Sequence, residues 1–139
     1  KNVRIIATDI DESGNFGQII HDGIYPEDTV KRIPQPLLQK YFLASGGQYQ
    51  LVDAIRNRVY YQRHDLLTLQ PVGEEFSLVL CKNVLLHFSP EERVQVLRMF
   101  HHSLAMGGLF ASEQTQKMPQ QLQNHFEPLA LDAQIHRKV

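Results

Sequence analysis

Apolar residues follow two kinds of spacing along the chain, and each kind predicts a different element. Val3 to Thr8 and Phe76 to Cys81 are nearly continuous apolar runs, which are typical of strands buried on both faces of a parallel sheet. The same pattern resumes at Leu109 to Ala111, and a last strand is expected between Leu129 and Ile135. These runs predict the framework of a sheet.

Helical spacing occurs between the predicted strands. Ser13 to Asp22 can form a helix, although Gly14 and Gly17 weaken that prediction. Pro34 to Leu43 carries apolar residues at helical spacing, and Gly46-Gly47 is expected to end that helix. We therefore expect helices to separate the strands.

The helix that begins after Ser89 has the strongest signals. Ser89 can act as the N-cap, Pro90 occupies the first helical position, and Glu92 completes a capping box. An apolar stripe at helical spacing follows, and Gly107-Gly108 is expected to terminate the helix.

The segment from Gln48 to Arg63 has a different pattern. Tyr49 and Leu51 alternate with polar neighbours, and Val59 and Tyr61 do the same a few residues later. Two such runs joined by a short polar segment predict antiparallel strands, the second of which leads into the main sheet.

Strands that alternate with helices predict βαβ units, and hence an α/β fold with a mainly parallel sheet. The length of 139 residues fits one domain, and a hydrophobic content of 42% is ordinary for a globular protein. The formal net charge of −1 gives no electrostatic reason to expect a nucleic acid or an anionic membrane surface as partner. No apolar run approaches the roughly 20 residues that cross a bilayer, so membrane insertion is not expected.

Two features bear on the compartment and on the extent of the chain. Cys81 is the only cysteine, so no intramolecular disulfide can form and a reducing cytoplasm is the expected location. Lys1-Asn2 leads directly into the first apolar run, so we expect the sequence to be part of a longer protein.

Asp9 is the most suggestive single residue because it follows the first predicted strand. Ligands that resemble nucleotides bind beyond the carboxyl ends of strands in open α/β sheets. A carboxylate at that place can accept hydrogen bonds from both hydroxyls of a ribose. The alternative is that Asp9, with Asp11 and Glu12, caps the following helix.

Two further segments follow predicted strands. In His64-Asp65-Leu66-Leu67 the carboxylate could pair with an adenine amino group while Leu66 packs on the ring, or it could be a loop acid beside core leucines. In Cys81-Lys82-Asn83, Lys82 could offer its charge to a carboxylate. Cys81 is expected to be a small buried residue rather than a nucleophile.

Seven histidines invite a metal hypothesis, but their spacing does not support one. His101-His102 are adjacent and point to different faces of a helix, and the sequence contains no zinc-site ligand pattern. We therefore expect no metal site and interpret the histidines as surface or core residues.

Several short sequence motifs follow one another over nearly the whole chain. They are Ala7-Thr8-Asp9-Ile10-Asp11, Gly23-Ile24-Tyr25-Pro26, Tyr41-Phe42, His64-Asp65-Leu66-Leu67, Leu80 to Phe88, and Gly107-Gly108-Leu109-Phe110 with Glu113, and each of them is called a block below. In this order and spacing they resemble the chemotaxis receptor methyltransferases, the CheR family of protein-glutamate O-methyltransferases. Any one block alone would be weak, and the order makes the resemblance specific.

The resemblance implies a Rossmann-like class I methyltransferase sheet, incomplete at its N-terminal strand, with residues 1–139 forming part of the catalytic domain. It also implies a small antiparallel β-subdomain inserted at about residues 46–58, which in some members docks a receptor tail. The implied activity is methyl transfer from S-adenosylmethionine to glutamate side chains of a chemoreceptor or receptor-like protein, with S-adenosylhomocysteine as product.

The resemblance also assigns roles by position. By this resemblance, Asp9 would bind the ribose, and Asp65 and Leu66 would contact the adenine. Cys81 and Lys82 would border the cofactor, and His87 would lie near the reacting methyl group. No strong base is implied, because the sulfonium already makes the methyl group electrophilic and a carboxylate is already a nucleophile. Catalysis would come from in-line positioning and exclusion of water.

The sequence departs from the family in several respects. The glycine-rich cofactor loop that precedes the first block is absent, so we expect these residues alone to bind the cofactor weakly. Asp65 replaces an asparagine, Lys82 an arginine and His87 a tyrosine. Two rival functions follow: a methyltransferase-like interaction module without turnover, and a methyltransferase with a different acceptor. An unpaired sheet edge also predicts a homodimer.

Overall fold

The computed structural model describes residues 2–139, which form two compact units. The first unit ends at Asp65 and the second runs from Leu66 to Val139. Both combine strands with helices, so the expected α/β class is confirmed. No helix among the described residues is long and apolar enough to cross a membrane.

The described part of the first unit contains two small sheets and four short helices. In chain order its elements are β1 (Ile5–Asp9), α1 (Phe16–Asp22), β2 (Ile24–Pro26), α2 (Glu27–Val30), α3 (Gln35–Tyr41), β3 (Phe42–Ser45), β4 (Gln48–Leu51), α4 (Asp53–Arg56) and β5 (Val59–Arg63). Strands β1 and β5 pair in parallel, and β4 lies between β2 and β3 in an antiparallel sheet.

The pairing of the two alternating runs differs from the prediction. Strand β4 is antiparallel as expected, but its partners are β2 and β3, whereas β5 pairs in parallel with β1. The reason lies in Gly46 and Gly47, whose φ angles of 57° and 77° form a two-residue turn between β3 and β4. Two successive left-handed residues are typical of a tight hairpin, so Gly46-Gly47 joins two strands instead of ending a helix. Helix α3 accordingly stops at Tyr41.

The second unit contains one longer helix and a mixed sheet. Its elements are β6 (Phe76–Cys81), α5 (Pro90–Ser103), β7 (Leu104–Ser112), β8 (Phe126–Pro128) and β9 (Ile135–Lys138), with single 3₁₀ turns at Leu66–Thr68, Leu85–His87 and Gln120–Leu122. The strand order is β6-β7-β9-β8, with β6 and β7 parallel and the other pairs antiparallel.

The predicted capping box of α5 is confirmed. The amide of Glu92 donates to the Ser89 hydroxyl oxygen at 3.2 Å, and the amide of Ser89 donates to the Glu92 carboxylate at 2.9 Å. Helix α5 buries Val96, Leu97 and Phe100 against the core of this unit. The local signals were sufficient here because both partners of the cap lie within four residues.

The end of α5 differs from the prediction. The helix stops at Ser103, and β7 begins at Leu104 with no residue between them, so Gly107 and Gly108 lie inside the strand. Gly107 has a φ of +76°, and a Cβ at Gly108 would stand 2.8 Å from the carbonyl oxygen of Phe76. The glycines therefore permit a bend of β7 and a close approach of two backbones.

The last strand was predicted in the wrong place. Residues 129–134 connect β8 to β9, and Leu131 in that connection is fully exposed. Strands β8 and β9 instead bury Phe126 and His136. The leucines of the connection have the spacing of a strand, and for this reason a strand was predicted there, but they do not pack against the core.

The core of the second unit is aromatic and aliphatic. The rings of Phe100 and Phe110 are stacked with their centroids 5.8 Å apart, and the ring of Phe126 lies tilted against that of Phe110 at 5.9 Å. The predicted burial of both faces of the parallel strands is wrong, since Leu78 and Leu80 of β6 are 55% and 68% exposed and Ile5 of β1 is 45% exposed. Each of these strands has one pairing partner among the described residues, which leaves its other edge unpaired.

Candidate cofactor site

The first predicted site residues lie where β1 and β5 end. Because these strands are parallel, Asp9 stands opposite Arg63, and the amide of His64 donates to the carbonyl oxygen of Asp9 at 2.9 Å. The Arg63 side chain donates to the carbonyl oxygen of Ile10 at 2.8 Å, which fixes the chain just beyond β1. Asp65 follows two residues after Arg63. Asp9 and Asp65, both exposed, therefore lie at the same carboxyl edge.

The helix-capping role considered for Asp9 is performed by Asp11, two residues later. The carboxylate of Asp11 accepts hydrogen bonds from the amides of Asn15 and Phe16, at the start of α1. The Asp9 carboxylate instead accepts the amide of Asp11 at 2.7 Å. This division of roles leaves Asp9 at the strand end while Asp11 holds the helix.

Leu66, the predicted adenine contact, begins the second unit and a short 3₁₀ turn. It is half-buried and packs against the core of that unit. The chain thus changes from an exposed carboxylate at Asp65 to a packed apolar side chain within one residue.

Cys81 ends β6 and is 6% exposed. Burial raises the pKa of its thiol to about 12, and the negative charge of Glu113 acts in the same direction. The predicted burial of Cys81 is therefore confirmed, and its low reactivity stays a prediction, since a thiol with this pKa is protonated at neutral pH. Any role of Cys81 toward a ligand is therefore one of packing.

The chain after β6 makes a sharp turn, and two further predicted residues, Lys82 and His87, lie beside it. At the turn, Asn83 has a φ of +59°, and its amide donates to Oε2 of Glu113 at 3.1 Å. A short 3₁₀ helix, Leu85–His87, follows. Lys82 and His87 are both exposed beside this turn. Glu113, at the carboxyl end of the neighbouring parallel strand β7, thus holds the turn in place.

Glu113 has a second feature that the sequence did not reveal. Its other carboxylate oxygen, Oε1, is buried and has no hydrogen-bond partner in the described part of the chain. A buried acceptor without a partner costs free energy unless a donor reaches it, so Oε1 is suited to receive a ligand N–H or O–H group. The sequence signal was only its place in a block after Gly107-Gly108.

Tyr61 is the other residue whose importance was missed. Its alternation with polar neighbours predicted a strand position, and its hydroxyl donates to Oδ2 of Asp11 at 2.7 Å. A tyrosine on the inner face of a strand needs a polar partner for its hydroxyl, and that requirement is the signal that could have indicated the contact.

Two cavities lie elsewhere in the described part of the chain. A cavity of about 390 Å³ is lined by Arg98, Leu122 and three histidines, and one of about 300 Å³ lies between α3 and the antiparallel sheet. Neither contains a predicted site residue. Residues 2–139 contain no group of three or more His, Cys, Asp or Glu side chains arranged to hold a metal ion.

Comparisons with known proteins agree with the motif order. Residues 1–135 match the model of the CheR methyltransferase, SAM binding domain. The chain is 36% identical over 126 residues to chemotaxis protein methyltransferase 1 of Pseudomonas aeruginosa, covering 87% of this chain and 45% of that protein. It is 33% identical over 112 residues to chemotaxis protein methyltransferase 2 of Vibrio cholerae, covering 78% of this chain and 38% of that protein.

Two further similarities are more limited. An uncharacterized 104.1 kDa protein of Rhodobacter capsulatus is 33% identical over 106 residues, which are 76% of this chain and 11% of that protein. A solved structure described as PigF with SAH shares 17% identity over 47% of this chain and 21% of its own, with a TM-score of 0.37, which is too low to support an argument. The chain spans less than half the length of the relatives named above.

Proposed function

The chain belongs to the family of CheR methyltransferase SAM-binding domains, and on that premise we propose that its parent protein transfers a methyl group from S-adenosylmethionine to glutamate side chains of a chemoreceptor or receptor-like protein. The observation that carries the proposal is the parallel pairing of β1 with β5, which sets Asp9 and Asp65 at one carboxyl edge. Two exposed carboxylates at such an edge suit the hydroxyls of a ribose and the amino group of an adenine.

Taken unit by unit, several side chains have the chemistry that a part of such a cofactor needs. Asp9 would accept the ribose hydroxyls, while Asp65 and Leu66 would contact the adenine. Cys81 would border the cofactor as a neutral side chain, because its thiol is buried and its pKa is raised to about 12. The unpartnered Oε1 of Glu113 supports the presence of a bound donor beside the turn after β6.

The chemistry asked of these side chains is modest. The bound cofactor supplies an electrophilic methyl group, and the acceptor glutamate supplies the nucleophilic oxygen. The protein then contributes orientation, exclusion of water and control of charge. Lys82, exposed beside the turn after β6, would border the cofactor together with Cys81, and His87, exposed near the same turn, would lie close to the reacting methyl group.

The finer description of the fold is also part of the proposal. We assign the chain to a Rossmann-like class I methyltransferase domain, with residues from about 46 to 58 in an inserted β-subdomain that faces the protein substrate. Within residues 2–139, β1 and β6 each have one pairing partner, which supports a sheet that takes a further strand. A cytoplasmic location and a homodimer formed through a sheet edge complete the proposal, and a monomer in light scattering would contradict the dimer.

The decisive experiment compares methyl transfer and binding in the full-length protein. Transfer of radiolabelled methyl groups to receptor glutamates tests the activity, and calorimetric titration with S-adenosylhomocysteine tests the cofactor. Asp9→Ala should weaken binding by about tenfold to a hundredfold, as expected for lost charged hydrogen bonds. Asp28→Ala, which removes another exposed carboxylate that pairs with Lys31, should leave binding unchanged.

Each result separates one rival from the proposal. Tight binding of S-adenosylhomocysteine without methyl transfer to any receptor would favour a non-catalytic interaction module. Transfer to an acceptor other than a receptor glutamate would retain the methyltransferase and reject the substrate. Equal affinity of the wild type and Asp9→Ala would reject the assignment of Asp9 to the ribose.

A further inference from the structure

Asp11 lies two residues beyond the end of β1 and combines burial with an uncommon backbone conformation. It is 3% exposed and is the only carboxylate among the described residues that is buried to this degree. Its φ of +45° places it in the left-handed region, which non-glycine residues seldom occupy. A strained and buried acid needs compensating contacts, and these contacts show what the residue does.

The carboxylate of Asp11 joins three parts of the first unit. Oδ1 accepts the amides of Asn15 and Phe16 at 3.1 Å and 3.3 Å, as well as the Ser13 hydroxyl at 3.3 Å. Oδ2 accepts the hydroxyl of Tyr61, on β5, at 2.7 Å. Capping of α1 explains the first set of contacts, but it does not explain a bond from the neighbouring strand.

The same residue contacts Asp9 through its backbone. The amide of Asp11 donates to Oδ1 of Asp9 at 2.7 Å, and Asp11 itself has a left-handed backbone conformation. The turn is held because the Asp11 side chain is anchored on α1 and on Tyr61. A displacement of that side chain would therefore move the donor that orients the Asp9 carboxylate.

We propose that Tyr61 and Asp11 are a positioning pair that fixes the carboxylate of Asp9 for the ribose hydroxyls of the cofactor. The inference rests on the proposed function, because it takes Asp9 as the ribose-binding residue. Neither member of the pair touches the ligand, and both act through the orientation of Asp9.

The ionisation of the pair is consistent with this role. Burial raises the pKa of Asp11, but the hydrogen bonds from Tyr61, Phe16, Ser13 and Asn15 outweigh burial and hold the pKa below its ordinary value. Burial and the neighbouring Asp11 carboxylate raise the pKa of Tyr61 to about 12. At neutral pH the pair is therefore a phenol that donates to a carboxylate, a short charge-assisted bond.

The test removes the phenol hydroxyl alone. Tyr61→Phe in the full-length protein should weaken the affinity for S-adenosylhomocysteine by about threefold to tenfold, as expected for one hydrogen bond to a charged group acting indirectly. Tyr60→Phe is the matched control, because Tyr60 is 51% exposed and its ring lies against Arg4 instead of Asp11. The control should change the affinity by less than about twofold.

The double variant distinguishes positioning from general support of the fold. If Tyr61 acts through Asp9, Tyr61→Phe should have no further effect on affinity in an Asp9→Ala background. In steady-state methylation the single variant should raise KM for the cofactor and leave kcat nearly unchanged, as for lost uniform binding. An undiminished effect in the Asp9→Ala background would overturn the proposal.

Failure of the proposed function gives a different result. If Asp9→Ala weakens binding but Tyr61→Phe does not, the positioning pair is rejected and the ribose assignment stands. If Asp9→Ala has no effect, the ribose assignment falls and the pair falls with it. Amide exchange at Asp11 without cofactor supplies an independent readout: Tyr61→Phe should accelerate it, and unchanged exchange would show that the hydroxyl does not order this turn.

Discussion

Gly17 offers a sensitive test of how firmly the Tyr61 ring is held. Gly17 lies in α1, and a Cβ at this position would stand 3.0 Å from Cδ1 and 3.1 Å from Cε1 of the Tyr61 ring. Replacing a glycine inside a helix with alanine normally gains about 1 kcal/mol. The ring is anchored by its hydroxyl on Asp11, so it cannot retreat without losing that bond. The two effects therefore oppose each other.

The magnitudes decide the expected sign. An added methyl group that overlaps a packed neighbour costs about 1–3 kcal/mol. We therefore expect Gly17→Ala to lower the free energy of unfolding by about 0–2 kcal/mol in the wild-type background, as the difference between that cost and the helix gain. In a Tyr61→Val background the contacting ring atoms are gone, and the same substitution should stabilise the protein by about 1 kcal/mol.

The measurement is a double-mutant cycle from urea unfolding, followed by circular dichroism and by intrinsic tyrosine fluorescence. The coupling between the two positions should be about 1–3 kcal/mol. Gly46→Ala is the control: its φ is +57° and nothing lies within 4 Å of its Cβ position, so it should destabilise both backgrounds equally. If Gly17→Ala stabilises both backgrounds to the same extent, the ring is free to move and the proposed anchoring is refuted.

Three further predictions concern other parts of the molecule. Ser89→Ala removes one half of the capping box of α5 and should lower the free energy of unfolding by about 1 kcal/mol in urea denaturation, and an unchanged midpoint would contradict the role of the cap. Cys81 should react slowly with a chromogenic disulfide reagent at pH 8 and rapidly after denaturation, because burial and the Glu113 charge raise its pKa to about 12; fast reaction of the native protein would contradict this. Burial lowers the pKa of His136, so the unfolded chain takes up the proton first as the pH falls, and stability should decline below about pH 6.5, the unperturbed histidine value. The decline should be smaller in His136→Gln, and equal slopes for the two proteins would exclude His136 as its source.

Local signals in the sequence predicted the positions of helices and strands better than they predicted which strands pair. The cap of α5 was predictable because Ser89 and Glu92 are three residues apart and bond directly. The pairing of β5 with β1 was not, because it joins residues more than fifty positions apart and depends on the intervening hairpin. Gly46-Gly47 illustrates the difficulty, since the same pair of glycines can end a helix or close a hairpin.

The candidate site shows a similar division. The position of Asp9 at the end of a strand followed from the apolar run before it, and the structure confirms that position. The left-handed backbone at Asp11 and Asn83 was not predicted, because aspartate and asparagine adopt this conformation more often than other non-glycine residues but in only a minority of positions. The bonds that hold these turns come from Tyr61 and Glu113, which are distant in sequence. The periodicity of apolar residues predicts helices and strands. It gives no information on which distant polar side chain bonds to a given turn.

The direct junction between Ser103 and Leu104 limits how this chain can change in length. One residue inserted there would rotate α5 by about 100° relative to β7, since a helix has about 3.6 residues per turn. If the strand absorbed the change instead, every side chain of β7 would move to the opposite face of the sheet. Either adjustment would remove Phe100 or Phe110 from the stacked core. We expect insertions and deletions to be excluded from this junction and tolerated at the hairpin tip, Gly46-Gly47, where the space around both glycines is open.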